Sequence, residues 1–182
     1  MPRLLLLRHA KSSWDDVSAD DFDRPLNGRG RTSAPVMGSH IAAHGFAPEK
    51  ILCSSARRTR ETLAAILPHL DEDIEIRLTR DLYEAGEDRM IDQIRAHGGH
   101  SATLLVIGHN PGLQQTGLAL AGEGDPAILA AVAEKFPTAG LLVIDFPATK
   151  WVDIEPRAGR AVAFLRPRGR QLIEVPTDPE TI

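Results

Sequence analysis

The chain of 182 residues predicts one domain, with a core that buries roughly 70% of the surface exposed by the unfolded chain. Its 42% hydrophobic and 25% charged residues exclude a disordered, collagen-like or coiled-coil chain, and its net charge of −4 excludes a basic field that recruits nucleic acid. One cysteine excludes an internal disulfide and a Cys-based zinc cluster, and 4% aromatic residues argue against a base-stacking surface.

The apolar run near the N-terminus is too short for a targeting or membrane segment. It consists of four leucines, Leu4 to Leu7, whereas a signal peptide needs about 7–15 apolar residues and a membrane helix about 20. Neither kind of segment is found elsewhere in the sequence, so we expect a soluble, cytoplasmic protein with no membrane partner. The leucines instead predict a short buried strand.

Short apolar runs alternate with longer helical patterns along the chain. Strands are predicted at residues 3–7, 50–54, 74–78, 103–108, 140–146 and 161–166, and helices at 29–44, 59–70, 87–98, 113–121 and 127–134. This alternation is typical of an α/β fold with a largely parallel sheet and helices on both faces. We predict a single domain over residues 1–175 and a C-terminal tail over 176–182, which has two prolines and no periodicity.

Polar motifs follow three of the predicted strands. The first strand leads into Arg8-His9, the second into Ser54-Ser55-Ala56-Arg57-Arg58-Thr59, and the fourth into Gly108-His109-Asn110-Pro111-Gly112. Because ligands of open α/β sheets bind at the carboxyl ends of the strands, we expect these residues to converge at one edge. Guanidinium groups pair bidentately with phosphate oxygens, and a neutral imidazole is a competent nucleophile toward phosphorus. The convergence therefore predicts metal-free phosphoryl transfer through a histidine.

The motifs of other enzyme classes are absent from the sequence or have the wrong spacing. The sequence has no GxxxxGK[ST], HExxH or GxSxG, and Gly28-Arg29-Gly30 lacks the third glycine of a dinucleotide turn. A cysteine phosphatase needs five residues between its thiolate and the arginine, whereas only four separate Cys53 from Arg58. We interpret Cys53 as the buried end of a strand. No cofactor and no metal are predicted.

The motifs together resemble those of the histidine phosphatase (phosphoglycerate-mutase-like) superfamily. Arg8-His9-Ala10-Lys11 is similar to its Arg-His-Gly signature, residues 54–62 to its second arginine motif, and Gly108-His109-Asn110-Pro111-Gly112 to its second histidine motif. Three further segments resemble the short SixA-type phosphohistidine phosphatases. They are Lys11-Ser12-Ser13-Trp14, Asp23-Arg24-Pro25-Leu26-Asn27-Gly28-Arg29-Gly30 and Leu82-Tyr83-Glu84-Ala85. The resemblance implies a three-layer sandwich with a mostly parallel central sheet, phosphoglycerate-mutase-like, without a large cap domain.

The resemblance also implies roles for the residues at this edge. His9 would attack the phosphorus and carry the phosphoryl group, while Arg8 and Arg58 hold its equatorial oxygens and His109 donates to them. Glu84 would protonate the leaving group and later activate water, a modest demand when the leaving group is an imidazole. Arg24 and Asn110 are further candidates for substrate binding. Ala10 departs from the glycine usual in the signature, and its methyl group restricts the backbone to ordinary φ values.

Each assignment has a plainer alternative in the sequence. The two histidines could be structural residues at strand ends, Glu84 a solvated loop carboxylate, and Arg24 and Arg29 exposed. The resemblance selects Arg58 for the pocket and leaves Arg57 at the surface or rim. Trp14 could either anchor a protein substrate at the rim or cover the core. Five further histidines are expected to be ordinary surface residues: His40, His44, His69, His97 and His100.

The substrate class rests on the resemblance and on the short connections. About twenty residues separate Thr62 from Leu82 and about eighteen separate Glu84 from Thr103, too few for a cap domain. An open site suits a phosphoryl group on a protein surface, such as phosphohistidine on a phosphotransfer domain in signal transduction. It would also admit a small phosphoester. A binding module that lost turnover is the non-enzymatic alternative, which the presence of His9 disfavours.

Overall fold

Runs of buried leucine, isoleucine and valine form the central strands of a mixed sheet. The computed structural model describes residues 1–15, 18, 20–70, 73–148, 150–168 and 171–174. In this part of the chain the strands are β1 (Arg3–Arg8), β2 (Lys50–Ser54), β3 (Glu75–Thr79), β4 (Thr103–Gly108), β5 (Ala121–Gly124), β6 (Leu141–Asp145), β7 (Gly159–Arg168) and β8 (Gln171–Glu174). The α-helices are α1 (Gly28–Ala43), α2 (Arg57–Ile66), α3 (Glu87–His97), α4 (Gly112–Leu120) and α5 (Pro126–Glu134). Short 3-10 turns occur at Asp21–Asp23, Leu67–His69, Arg80–Leu82 and Trp151–Asp153.

The sheet has the order β3-β2-β4-β1-β6-β7-β5, and β8 pairs with β7. The half formed by β3, β2, β4 and β1 is parallel, as predicted, whereas β6 runs antiparallel to both β1 and β7. Alternate residues of β1 and β4 point to opposite faces, so each strand contributes to two hydrophobic cores. One core includes residues of α1 and α2, and the other includes residues of α3, α4 and α5. The predicted three-layer α/β architecture is confirmed.

The structure differs from the predicted elements in several places. The sheet is mixed beyond β1. The described residues between the antiparallel strands β6 and β7 form no α-helix, only the turn Trp151–Asp153, and antiparallel neighbours need no crossover helix. Helix α2 ends at Ile66 rather than at residue 70, since Pro68 cannot continue the i→i−4 hydrogen bonds. Strands β5 and β8 were not predicted, and β5, with the sequence Ala-Gly-Glu-Gly, has no apolar pattern to reveal it. The predicted tail over residues 176–182 lies outside the described residues.

This topology explains why the polar motifs lie at one edge of the sheet. β2, β4 and β1 are neighbours, and their parallel register places Arg8 opposite Gly108 and Cys53 opposite Ile107. The residues that follow these three strands must therefore meet at one edge. Among the described residues, no helix combines the length and apolarity needed to cross a membrane.

Candidate active site

The two predicted histidines lie side by side where β1 and β4 end. His9 and His109 have ring centroids 5.3 Å apart, and both are almost completely buried. The parallel pairing of β1 with β4 fixes this proximity, because each histidine follows its strand directly. The convergence predicted from the sequence is thus present in the structure.

A single hydrogen bond determines which nitrogen of His9 can act as a nucleophile. His9 Nδ1 lies 2.7 Å from the carbonyl oxygen of Ala10. A carbonyl oxygen can only accept, so Nδ1 carries the proton and Nε2 keeps its lone pair. Burial lowers the pKa of His9 to about 3 against the opposing effect of the Ala10 carbonyl, and the charges of His109, Arg58 and Arg8 lower it further. The imidazole is therefore neutral at neutral pH.

The backbone around His9 is held from two sides. The Ala10 N–H donates to the Thr62 hydroxyl at 3.0 Å, and the Ala139 N–H donates to the carbonyl oxygens of both Arg8 and His9. Ala139 adopts φ of +57°, a left-handed conformation that is uncommon for a residue with a side chain. Ala10 itself is not among the positive-φ residues of the described chain. Alanine in place of the usual glycine is accommodated there without backbone strain.

Arg8 lines the same cavity. Its Nη1 donates to the carbonyl oxygen of Phe136 at 2.8 Å, which holds the side chain in place. Its Nε is buried and has no hydrogen-bond partner within the described chain. Burial and the charge of Arg58 lower the pKa of Arg8. An unpartnered buried donor of this kind carries an energetic cost that an anionic ligand would remove.

The two adjacent arginines of the second motif separate as the sequence analysis expected. Arg58, in the first turn of α2, is buried and lines the cavity, whereas Arg57 is exposed and pairs with Glu61 at 2.7 Å. Arg58 Nη1 donates to the backbone oxygen of Asp21, and its Nη2 donates to Asp21 Oδ2 at 2.9 Å. The guanidinium group is thus already paired with a carboxylate of the same chain.

His109 and Asn110 each contribute a buried atom without a partner. His109 Nε2 lies 2.8 Å from the Ser54 hydroxyl, while its Nδ1 is buried and unpaired in the described part of the chain. Burial lowers the pKa of His109 to about 3, and the positive charge of Arg58 acts in the same direction. Asn110 Nδ2 donates to Gln114 Oε1 and to the Phe136 carbonyl, which leaves its Oδ1 buried and unpaired among the described residues. Both residues line the cavity.

The Asp21 carboxylate accepts hydrogen bonds from three side chains at the cavity wall. It accepts from Arg58 Nη2, from Arg24 Nη1 at 2.8 Å and from the Tyr83 hydroxyl at 2.9 Å. Partial burial raises the pKa of Asp21, but these hydrogen bonds and the charge of Arg58 outweigh it and lower the pKa to about 2. The carboxylate is therefore ionised throughout the physiological range.

Arg24 is bound on all three of its nitrogens. Besides Asp21, it donates from Nε to the Ser13 carbonyl at 2.9 Å and from Nη2 to the Ser12 hydroxyl at 2.8 Å. Its guanidinium carbon lies 3.2 Å from the ring centroid of Trp14, which is 70% exposed. Both residues line the cavity. Arg24 is buried rather than exposed, and it braces the loop that carries Trp14.

Glu84 lies on a strained loop at the opposite wall. It is exposed, lines the cavity and adopts φ of +53°, which costs energy for a residue other than glycine. The loop approaches the start of α4 closely, since a Cβ atom on Gly112 would lie 1.8 Å from the Ala85 carbonyl oxygen. Glycine at position 112 is therefore what allows Glu84 to stand beside the second histidine motif.

These groups enclose a cavity of about 570 Å³ that opens to solvent. The lining includes all seven predicted site residues: Arg8, His9, Arg24, Arg58, Glu84, His109 and Asn110. Six further polar or aromatic side chains also line it: Lys11, Ser12, Trp14, Asp21, Gln115 and Thr138. Between β2 and β4 the described chain forms α2, β3, α3 and short turns, with no inserted domain over the cavity. Among the described residues, no three His, Cys, Asp or Glu side chains form a metal-ligand cluster.

Cys53 lies outside the cavity. Its thiol is fully buried, donates to the Ser54 carbonyl oxygen at 3.3 Å and has a pKa raised to about 12 by burial. A buried thiol with a raised pKa is a poor nucleophile. The structure thus agrees with the interpretation of Cys53 as the end of a strand.

Three residues that hold the site together were not predicted from the sequence: Asp21, Ser54 and Tyr83. Asp21 belongs to an acidic stretch with Asp15, Asp16, Asp20 and Asp23, and no pattern distinguishes one of these carboxylates from the others. Ser54 and Tyr83 did carry a signal. Ser54 is the terminal residue of a strand that ends at the active edge, and Tyr83 is the chain's single tyrosine, next to Glu84.

Comparison with known proteins agrees with this geometry. The pattern of the histidine phosphatase superfamily (branch 1) matches residues 4–115. An uncharacterized protein of Mycobacterium tuberculosis strain H37Rv is 38% identical over 164 residues, which cover 89% of this chain and all of that protein.

Two solved structures share the fold over most of their length. A proposed phosphohistidine phosphatase SixA from Agrobacterium tumefaciens is 31% identical, with a TM-score of 0.75 over 91% of this chain and 99% of that one. A second proposed phosphohistidine phosphatase SixA, from Nakamurella multipartitia, is 27% identical, with a TM-score of 0.77 over 91% and 96% of the two chains. The matched segment includes Arg8, His9, Arg58 and His109. The chain therefore belongs to branch 1 of the histidine phosphatase superfamily, and its reaction is that of a phosphatase.

Proposed function

We propose that the protein hydrolyses phosphohistidine on other proteins through a phosphoryl-enzyme intermediate on His9. The observation that carries this proposal is the neutral His9 imidazole, whose Nδ1 is tied to the Ala10 carbonyl and whose Nε2 is left as a nucleophile. His9 lies in a cavity that three guanidinium groups and a second imidazole also line. This combination suits phosphoryl transfer, in which catalysis is mainly positioning and charge stabilisation.

The first step forms a bond between His9 Nε2 and the phosphorus while the bond to the substrate nitrogen breaks. Arg8, Arg58 and His109 hold the equatorial oxygens, with Arg24 and Asn110 as further contacts in the proposed substrate site. The departing imidazole keeps the electron pair of the broken bond and takes up one proton from Glu84.

The second step returns the enzyme to its starting state. A water molecule attacks the phosphorus of phospho-His9 and gives one proton to Glu84. The phosphorus–nitrogen bond breaks with its electrons returning to His9 Nε2, and inorganic phosphate leaves. His9 is again neutral, and Glu84 is again protonated for the next substrate.

Two observations support a protein as the substrate. The cavity opens to solvent with the exposed Trp14 at its mouth, a large apolar contact that a small ester does not require. The structures that resemble this chain at 31% and 27% identity are proposed phosphohistidine phosphatases. The cytoplasmic location and the signal-transduction role expected from the sequence belong to this same proposal.

The test is a quenched reaction of wild type, His9→Ala and His100→Ala in the presence of EDTA. Each enzyme receives a phosphohistidine protein and, separately, p-nitrophenyl phosphate. His100 is exposed and is not among the residues that line the cavity, so its variant controls for the loss of a histidine. We expect turnover, an acid-labile phosphoenzyme and a preference for the phosphoprotein in wild type and His100→Ala, and no phosphoenzyme in His9→Ala.

The other outcomes separate the competing functions. A phosphoenzyme with a preference for the small ester keeps the mechanism and replaces the substrate class. Tight phosphohistidine binding with neither turnover nor phosphoenzyme identifies a binding module. Loss of turnover with EDTA contradicts the metal-free mechanism.

A further inference from the structure

The side-chain amide of Gln114 connects the second histidine motif to the end of α5. Its Oε1 accepts from Asn110 Nδ2 at 3.1 Å, and its Nε2 donates to the carbonyl oxygens of Val132 and Ala133 at 2.8 Å and 3.2 Å. Both carbonyls belong to the last turn of α5, where the carbonyl oxygens of a helix have no partner within it. Gln114 thus uses the acceptor and the donor of its amide on two different elements, although it does not itself line the cavity.

The segment that follows α5 holds the first histidine motif. The Phe136 carbonyl oxygen accepts from Arg8 Nη1 at 2.8 Å and from Asn110 Nδ2 at 3.2 Å. Three residues further on, the Ala139 N–H donates to the carbonyl oxygens of Arg8 and His9. The placement of this segment therefore affects both the guanidinium group of Arg8 and the backbone of His9.

We propose that Gln114 is a positioning residue for the Arg8 guanidinium group. It holds Asn110 on one side and the last turn of α5 on the other, and both contacts fix the Phe136 carbonyl that orients Arg8. The inference deepens the proposed function and rests on it only in that the cavity binds a phosphoryl group. Because guanidinium N–H groups form a rigid fork, a small rotation of Arg8 changes which of them reach a phosphoryl oxygen.

The Phe136 ring anchors the same segment without the help of Gln114. It is buried and packs edge-on against Phe164, with ring centroids 5.1 Å apart. Loss of the Gln114 amide should therefore keep the segment in place as a whole and displace only the carbonyl oxygen. We accordingly expect variants of Gln114 to fold and to lose affinity at the site.

The test is a double-mutant cycle on phosphate binding, which needs no turnover. Phosphorus-31 NMR measures the dissociation constant of inorganic phosphate at about pH 8 for the wild-type chain, Gln114→Met, Arg8→Met and the double variant. Methionine is unbranched like glutamine and has no amide donor or acceptor. Glu134→Gln is the control, since Glu134 is exposed at the end of α5 and does not line the cavity.

We expect Gln114→Met to weaken phosphate binding about five- to tenfold when Arg8 is present, the effect of one net hydrogen bond. In the Arg8→Met chain the same substitution should change the affinity about twofold or less, because the residue through which Gln114 acts is absent. Glu134→Gln should bind phosphate as wild type does. Thermal unfolding checks that the variants are folded. If Gln114→Met does not fold, Gln114→Glu takes its place in the cycle, since it keeps the acceptor for Asn110 and removes the donor to α5.

Three results would overturn the inference. One is an equal weakening with and without Arg8, which would mean that Gln114 acts on the site as a whole. The others are an unchanged affinity in the Gln114 variant and a wild type that does not bind phosphate. A failure of the proposed function appears separately in the quenched reaction, as a missing phosphoenzyme or a preference for the small ester.

Discussion

The Ser54 hydroxyl lies 2.8 Å from His109 Nε2, and this contact joins the ends of β2 and β4. Ser54 Oγ also accepts from the Ala56 N–H at 3.4 Å, so its one hydroxyl proton is free to be donated to Nε2. We expect Ser54 to donate to Nε2, which would place the proton of His109 on Nδ1, the nitrogen without a partner in the described chain. In that tautomer, Nδ1–H is the donor that His109 would offer to a phosphoryl oxygen.

Ser54→Ala should therefore weaken transition-state binding without touching the reacting atoms. We expect kcat/KM to fall about five- to tenfold, the effect of losing one net hydrogen bond that orients the imidazole. Steady-state kinetics on the phosphoprotein measures the change, with Ser55→Ala as the neighbouring control. Nitrogen-15 NMR of His109 should show protonated Nδ1 in wild type and a mixture of tautomers in Ser54→Ala. Identical rates and spectra for the two proteins would contradict this role.

The two buried histidines should make the fold less stable in acid. Each has a pKa of about 3 in the folded protein and about 6.5 when unfolded, so below pH 6.5 the unfolded chain binds more protons. The free energy of unfolding should fall by about 1.4 kcal/mol per pH unit for each histidine as the pH drops from 6.5 towards 3. Urea unfolding between about pH 8 and 5 isolates this effect from the carboxylates, which titrate lower.

Removal of one histidine provides the control for this pH dependence. His109→Gln should remove about 1.4 kcal/mol per pH unit from the slope below pH 6.5 and keep the same stability trend above it. Nitrogen-15 NMR should find His9 neutral and protonated on Nδ1 down to about pH 5. A midpoint for His9 near 6.5 would contradict its burial as the dominant influence on its pKa.

Glu84→Gln should slow the hydrolysis of phosphorus–oxygen substrates more than that of phosphorus–nitrogen substrates. A phenolate or alkoxide leaving group needs the proton of the general acid, so hydrolysis of phenyl phosphate should fall about 10²- to 10⁴-fold. An imidazole leaving group makes a smaller demand, and phosphohistidine hydrolysis should fall much less. Pre-steady-state phosphoenzyme formation measures both, with Glu87→Gln as a control in the following helix. Equal losses on both substrates would assign Glu84 a positioning role instead.

Trp14→Ala tests the contact with a protein substrate. The ring is 70% exposed and stacks on Arg24, whose three nitrogens keep their other partners without it. We expect KM for the phosphoprotein to rise about five- to tenfold more than KM for phenyl phosphate, as for an interface residue of large contact area. Val152, 63% exposed and not part of the cavity lining, provides the control variant Val152→Ala. An equal change for both substrates would remove Trp14 from the docking surface.

The parallel half of the sheet and the residues at its active edge were predictable from the sequence. Leu4–Leu7 and residues 104–107 are continuous apolar runs, which indicate strands buried on both faces, and each is followed at once by a histidine. A short buried strand has few possible end points, and the first and last residues of β2 and β4 were predicted correctly. β6 and β7 were located only approximately, and their antiparallel pairing was missed because orientation depends on the connection between strands.

The sequence by itself determined the kind of chemistry, since it places a histidine, two arginines and a second histidine directly after buried strands or at the start of a helix. Only the tertiary structure decided how these groups are prepared for it. The Ser54 contact of His109 and the pairing of Asp21 with Arg58 join residues 55 and 37 positions apart. The Nδ1 tautomer of His9 depends on the backbone conformation that brings the Ala10 carbonyl to its ring. Whether such a hydrogen bond forms depends on differences of a few tenths of an ångström in the distance between its atoms. A sequence pattern indicates only which face of a helix or strand is buried.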